Sequence, residues 1–185
     1  MELLQKSYTG THSFFYTKED GWNGMNNIDK KGYEPVTIRI YSKDKQLILE
    51  DEVLCAFDTV SSKIYAVGKA GREHLQDNNI VVVNPMKWGV VGDFTIFRKI
   101  MEYYIRQLPK PFARKTKVAI CVPAKLTAVE HQAFMESITV YTGAPFYLVE
   151  RTFEQMIAEG MEQKMKGVHY YIEFVSAYYA SEYFN

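Results

Sequence analysis

Val118-Ala119-Ile120-Cys121-Val122 is an unbroken apolar run, and Thr127-Ala128-Val129-Glu130 follows closely behind it. A short apolar run without polar alternation is the pattern of a strand covered on both faces. Thr127 and Glu130 have the spacing of a capping box, in which a hydroxyl and a carboxylate each satisfy an amide left open at a helix start. Together they predict a buried strand, a short link and a helix running to about Tyr141. The pattern then repeats. Gly143-Ala144-Pro145 turns the chain, Phe146 to Val149 is another buried strand, and Thr152-Phe153-Glu154-Gln155 is a second capping box. Its helix is expected to reach Lys166, and Val168 to Val175 reads as a final strand.

Upstream, Asp93 is placed to cap a helix whose apolar positions Phe94, Phe97, Ile100, Met101, Tyr104, Ile105 and Leu108 recur at helical spacing. Pro109 and Pro111 end it. Before that helix the strand signal dominates. Ser13 to Thr17 is aromatic and extended, and Trp22 to Gly32 is an Asn/Gly-rich loop. Val36 to Tyr41, Gln46 to Glu50, Val53 to Phe57 and Ile64 to Gly68 read as strands joined by polar turns, an expected β-meander. A short helical segment, Lys69 to Leu75, and an apolar strand, Ile80 to Val83, complete the first half. Antiparallel strands first and alternating strands and helices later predict an α/β chain, a mixed sheet with helices on its faces.

At 185 residues the chain has room for one domain. Its hydrophobic share of 47% and charged share of 24% are those of a globular protein, which excludes wholesale disorder and a fibre. Lys plus Arg and Asp plus Glu are both 22, so the basic surplus of a non-specific nucleic-acid binder is missing. The basic stretch Lys110 to Lys117 is read as a solvated loop, and no nucleic-acid partner is expected. No stretch free of charge is long enough to span a bilayer, and Met1 to Lys6 lacks the pattern of a signal peptide. Cys55 and Cys121 sit in apolar runs and are expected to be free, buried thiols. Aromatic residues are abundant at 15%, with 14 Tyr and 11 Phe. Buried core and association surface both use such residues.

Composition and spacing name no catalytic centre. His12, His74, His131 and His169 are scattered without a Cys or His at ligand spacing, and no phosphate-loop or nucleophile-elbow motif occurs. Glu50, Asp51 and Glu52 are adjacent, so a strand or turn aims them in different directions.

A resemblance goes further. Ile64-Tyr65-Ala66-Val67-Gly68, then Asn84-Pro85-Met86-Lys87-Trp88-Gly89-Val90-Val91-Gly92-Asp93-Phe94, then Val118-Ala119-Ile120-Cys121-Val122-Pro123 with Thr127 and Glu130, then Phe146-Tyr147-Leu148-Val149-Glu150 through Ile157-Ala158-Glu159-Gly160, occur in one order. The stretch from about Gln46 to Gly160 thereby resembles the first domain of the bacterial actin-like rod shape-determining proteins, the MreB family. The resemblance implies a ribonuclease-H-like fold, that of an actin-like ATPase domain. It divides the chain, read as one domain over 1–185, into a divergent β-rich start at 1–45, a family-like core at 46–160 and an aromatic-rich tail at 161–185. It implies a cytoplasmic protein of cell-shape organisation, with peripheral association at the membrane.

Family members bind ATP and Mg²⁺ between two such domains, and here the matching positions depart. The family's first phosphate loop, D-x-G-T, has its nearest counterpart in Tyr8-Thr9-Gly10-Thr11, with Tyr8 in place of the Asp. The water-positioning Glu and the Pro of L-I-E-E-P are replaced by Arg151 and Thr152, leaving Glu150 one position earlier. The Asp of K-D-G is Trp88, and no D-x-G-G-G-T run follows Gly160. Gly10, Thr11 and Glu150 are thus the candidates for a degenerate phosphate site, with no catalytic residue, no metal ligand and no cofactor expected. The expected role is non-catalytic and protein-binding, through a protein partner or a homo-oligomer, with Tyr170, Tyr171, Phe174, Tyr178, Tyr179, Tyr183 and Phe184 as the interaction residues or as cover for the chain's own surface. The alternative is an actin-like ATP-binding protein or ATPase, using ATP and Mg²⁺, whose site a partner completes.

Overall fold

The computed structural model describes residues 15–16, 36–61, 63–74, 77–87, 89–109, 116–122, 125–142 and 146–176. Its strands are β1 (Phe15–Tyr16), β2 (Thr37–Ser42), β3 (Leu47–Glu52), β4 (Cys55–Asp58), β5 (Lys63–Val67), β6 (Ile80–Val83), β7 (Met86–Lys87), β8 (Val90–Val91), β9 (Lys117–Cys121), β10 (Tyr147–Val149) and β11 (Val168–Val175). The helices are α1 (Lys69–Arg72), α2 (Phe94–Arg106), α3 (Ala128–Thr142) and α4 (Phe153–Ala158), with a 3-10 turn at Met161–Lys164.

A mixed five-stranded sheet runs in the order β10-β9-β11-β2-β3. β10, β9 and β11 are parallel, while β2 is antiparallel to β11 and β3 to β2. A second sheet, β1-β6-β4-β5, is antiparallel, and β7 and β8 form a small ribbon. The expected β-meander is therefore corrected. After Glu52 the chain leaves the first sheet, and β4 starts a second one between β6 and β5. The crossing is made at Val53 and Leu54, both buried: Val53 N donates to Val36 O at 2.7 Å and Leu54 N to Glu52 O at 3.0 Å. Alternating residues predict a strand but carry no record of its partner.

The crossing is locked from both sides. Asp51 Oδ1 accepts from Lys69 N at 2.7 Å, tying the end of β3 to the start of α1. Between them lies Gly68, at φ 72, where an added Cβ would come within 2.0 Å of Asp51 Oδ2. Only glycine meets both the left-handed backbone and this approach. Arg72 is hydrogen-bonded to Glu52, and Tyr104 Oη donates to Glu52 O at 2.7 Å. Burial pushes the Tyr104 phenol far up. Glu50, whose carboxylate accepts from Arg39 Nε at 2.7 Å, completes three adjacent acids with three different partners, as their strand placement predicts.

Both faces of the large sheet are covered. Val118, Ile120 and Val122 face a large cluster with Ile38, Ile40, Ile172, Phe174 and the inner sides of α2 and α3. The rings of Phe97, Phe134 and Phe174 meet there at 5.5–5.6 Å between centroids. Ala119 and Cys121 face the other way, into a smaller cluster with Val149, Phe153, Met156 and Tyr171 under α4. β9 is apolar at every inner position because it is inside on both sides. Cys55 and Cys121 are free and fully buried.

The caps stand where the sequence puts them. Asp93 accepts from Ile96 N at 3.0 Å and starts α2. Thr127 and Glu130 exchange the bonds of a capping box ahead of α3, and Thr152 and Gln155 do so at α4. α4 does not reach Lys166. It stops at Ala158, because Gly160 adopts φ 65 and redirects the chain into the 3-10 turn.

Residues 161–175, counted above with the aromatic tail, belong inside the fold. β11 is the central strand, and without it β2 and β9 would have no common neighbour.

Candidate functional site

In open α/β sheets, ligands meet the carboxyl ends of the parallel strands. At this end the loop after β9, Glu150 after β10, the start of α4 and the last residues of β11 come together. Glu150 Oε1 accepts from Leu126 N at 2.9 Å and so fixes the loop that leads into α3. Arg151, next in line, turns its guanidinium back onto the chain: Nη1 donates to Glu150 O at 2.8 Å and Nε to Glu159 Oε1 at 3.2 Å. Thr152 is spent on capping α4.

The dominant polar residue here is one that sequence reasoning missed. Glu173, on β11, is buried and lies in register with Cys121 of β9 and Arg39 of β2. Its Oε1 accepts from Phe153 N, the first amide of α4, at 2.8 Å, and its Oε2 accepts from Tyr41 Oη at 3.2 Å. Arg39 Nη1 is 3.9 Å from the same oxygen. A buried carboxylate costs free energy unless it is paired and hydrogen-bonded, and Glu173 is both. Tyr41 stacks on Phe153 with ring centroids 3.9 Å apart and planes 9° apart, which holds its hydroxyl on Glu173. Burial, then the Glu173 charge, pushes the Tyr41 phenol up to about 12. Burial also raises both thiols, Cys55 to about 12, so neither is an activated nucleophile. The signal for Glu173 was present in Val168 to Val175, one acid inside an otherwise apolar and aromatic strand. A charge at such a place is rarely left without partners.

Of the candidate phosphate residues, Glu150 stands at this end of the sheet, and Gly10 and Thr11 lie outside the described residues. Of the aromatic set, Tyr171 is 5% and Phe174 1% exposed, on opposite faces of β11, and both belong to the core rather than to a contact surface. Alternation along a central strand buries both sides. Tyr170 is half-buried against the larger cluster, and Tyr178, Tyr179, Tyr183 and Phe184 lie outside the described residues. Among the described residues no group of three or more His, Cys, Asp or Glu is placed to hold a metal ion. No described helix is long and apolar enough to cross a membrane.

Residues 35–167 match the sequence model of a family described as MreB/Mbl protein. The chain belongs to this family. It is 32% identical over 128 residues to the cell shape-determining protein Mbl of Bacillus cereus, covering 68% of this chain and 38% of that one. It is 35% identical over 119 residues to the cell shape-determining protein MreB of Haemophilus influenzae, covering 60% of this chain and 34% of that one. Among solved structures it superposes on MreB 5 of Spiroplasma citri bound to AMPPNP, with a TM-score of 0.56 and 17% identity over 68% of this chain and 39% of that one. The likeness shows an actin-like fold. This MreB/Mbl chain spans between a third and two fifths of the length of the relatives it matches. The match ends at Gly167, one residue before β11, so the central strand, which carries Glu173, lies beyond it.

Of the residues that the resemblance assigns to a phosphate, Glu150 alone is described; its Oε1 accepts from Leu126 N, while Glu173 beside it accepts from Phe153 N and Tyr41 Oη. The cation beside them, Arg151, is held by Glu159.

Proposed function

We propose that this MreB/Mbl chain is a non-hydrolysing member of the family that works by binding protein in cell-shape organisation, in the cytoplasm and peripherally at the membrane. The observation that carries this reading is Arg151. In the family's L-I-E-E-P run, the Glu before the Pro positions the attacking water, and an arginine cannot accept a proton from it. The guanidinium donates to Glu159 Oε1 at 3.2 Å and to Glu150 O at 2.8 Å, back onto its own chain. Glu150, the carboxylate that remains, serves the loop before α3.

A second reading has one observation in its favour: the Spiroplasma citri relative with this fold is a complex with AMPPNP. On that reading the chain binds a nucleotide without turning it over unless a partner completes the site. Phosphate release from Mg²⁺-ATP by the full chain, alongside calorimetry with AMPPNP, separates the two. The proposal expects neither turnover nor binding. Binding without turnover favours the second reading, and turnover by the chain alone overturns the non-hydrolysing role.

A further inference from the structure

We draw no further inference here: the strongest candidate, the surface patch at the amino ends of β9 and β11 where the exposed Lys43, Lys164 and Lys166 gather beside Lys117, carries nothing because its lysines suit every anionic partner alike and nothing in the structure shows what covers it.

Discussion

The two faces of the large sheet are built on opposite principles. One is a wholly apolar contact in which Phe97, Phe134 and Phe174 meet beneath α2 and α3. The other, under α4, mixes Cys121, Met156 and Tyr171 with a buried acid, Glu173, and the residues that satisfy it. The first face holds the sheet to its helices mainly by burial, with the Tyr104 hydroxyl on Glu52 O as a polar tie, and burial tolerates small displacements and penalises cavities. The second fixes positions, because a carboxylate accepting from Phe153 N and from Tyr41 Oη works at only one placement of α4 relative to β2 and β11. Adjacent residues on β9 and β11 serve both regimes, so the difference comes from the layers and not from the strands.

The comparison can be broken most forcefully on the apolar face. Phe134→Ala removes a fully buried ring and should cost about 3–5 kcal/mol in urea unfolding. A cost no greater than that of an exposed position would show that the three-ring contact is not packed as described.

On the polar face the expected losses are smaller and depend on chemistry rather than volume. Glu173→Ala leaves the buried Phe153 amide without its acceptor and should cost about 1–3 kcal/mol. Glu173→Gln keeps an acceptor of similar shape and should recover part of that loss. Equal losses in the two variants would mean that packing, and not hydrogen bonding, is what Glu173 supplies.

Thr152→Ala removes the cap of α4 and should cost about 1 kcal/mol. Hydrogen exchange should report the opening at α4 while α3 keeps its protection.

The Tyr41 phenol gives the polar face an alkaline limit. Burial beside Glu173 pushes it up to about 12, above the ordinary tyrosine value of 10.0. A raised value means that the fold favours the neutral form, so the contribution is complete below the unfolded value and disappears as pH climbs from there to about 12. Tyr104 is raised as well, so the Tyr41 share is read as the difference between wild type and Tyr41→Phe. An absorbance titration in which Tyr41 ionises at the ordinary tyrosine value would contradict its burial beside the Glu173 charge.

The smallest effect is expected at the rim. Arg39 and Glu50 form a pair at 2.7 Å with side chains 38% and 40% exposed, so Arg39→Ala should change stability by no more than about 1 kcal/mol, and by less in high salt. A larger loss would show that the more distant Arg39–Glu173 approach matters to the buried carboxylate.

Much of this was legible in the chain. The apolar run 118–122, the capping residues Asp93, Thr127 and Thr152, and the periodicity of α2 are local signals, and each element stands where they place it. The ordered motifs between Gln46 and Gly160 were enough to point to the family that residues 35–167 match. The candidate site was less legible. Glu150 was selected because it neighbours a family position, yet its bond to Leu126 N depends on a loop brought across from another strand. Glu173 was passed over because no motif surrounds it, although an acid within an apolar strand asks for a partner. The extent of α4 was misjudged because capping residues announce a start, while the stop depended on the backbone angle at Gly160.

The amino-acid sequence by itself determined which segments are strands and helices, that β9 is inside on both faces, and to which family the chain belongs. The first two follow from spacing and local chemistry, which act over a few residues, and the family from the resemblance of its ordered motifs. The tertiary structure alone decided that β4 leaves the first sheet, that β11 takes its centre, and that Tyr171 and Phe174 go to opposite sides of one buried strand. Strand partners are chosen by long-range pairing and by burial on two faces at once, and neither quantity is written in any one segment.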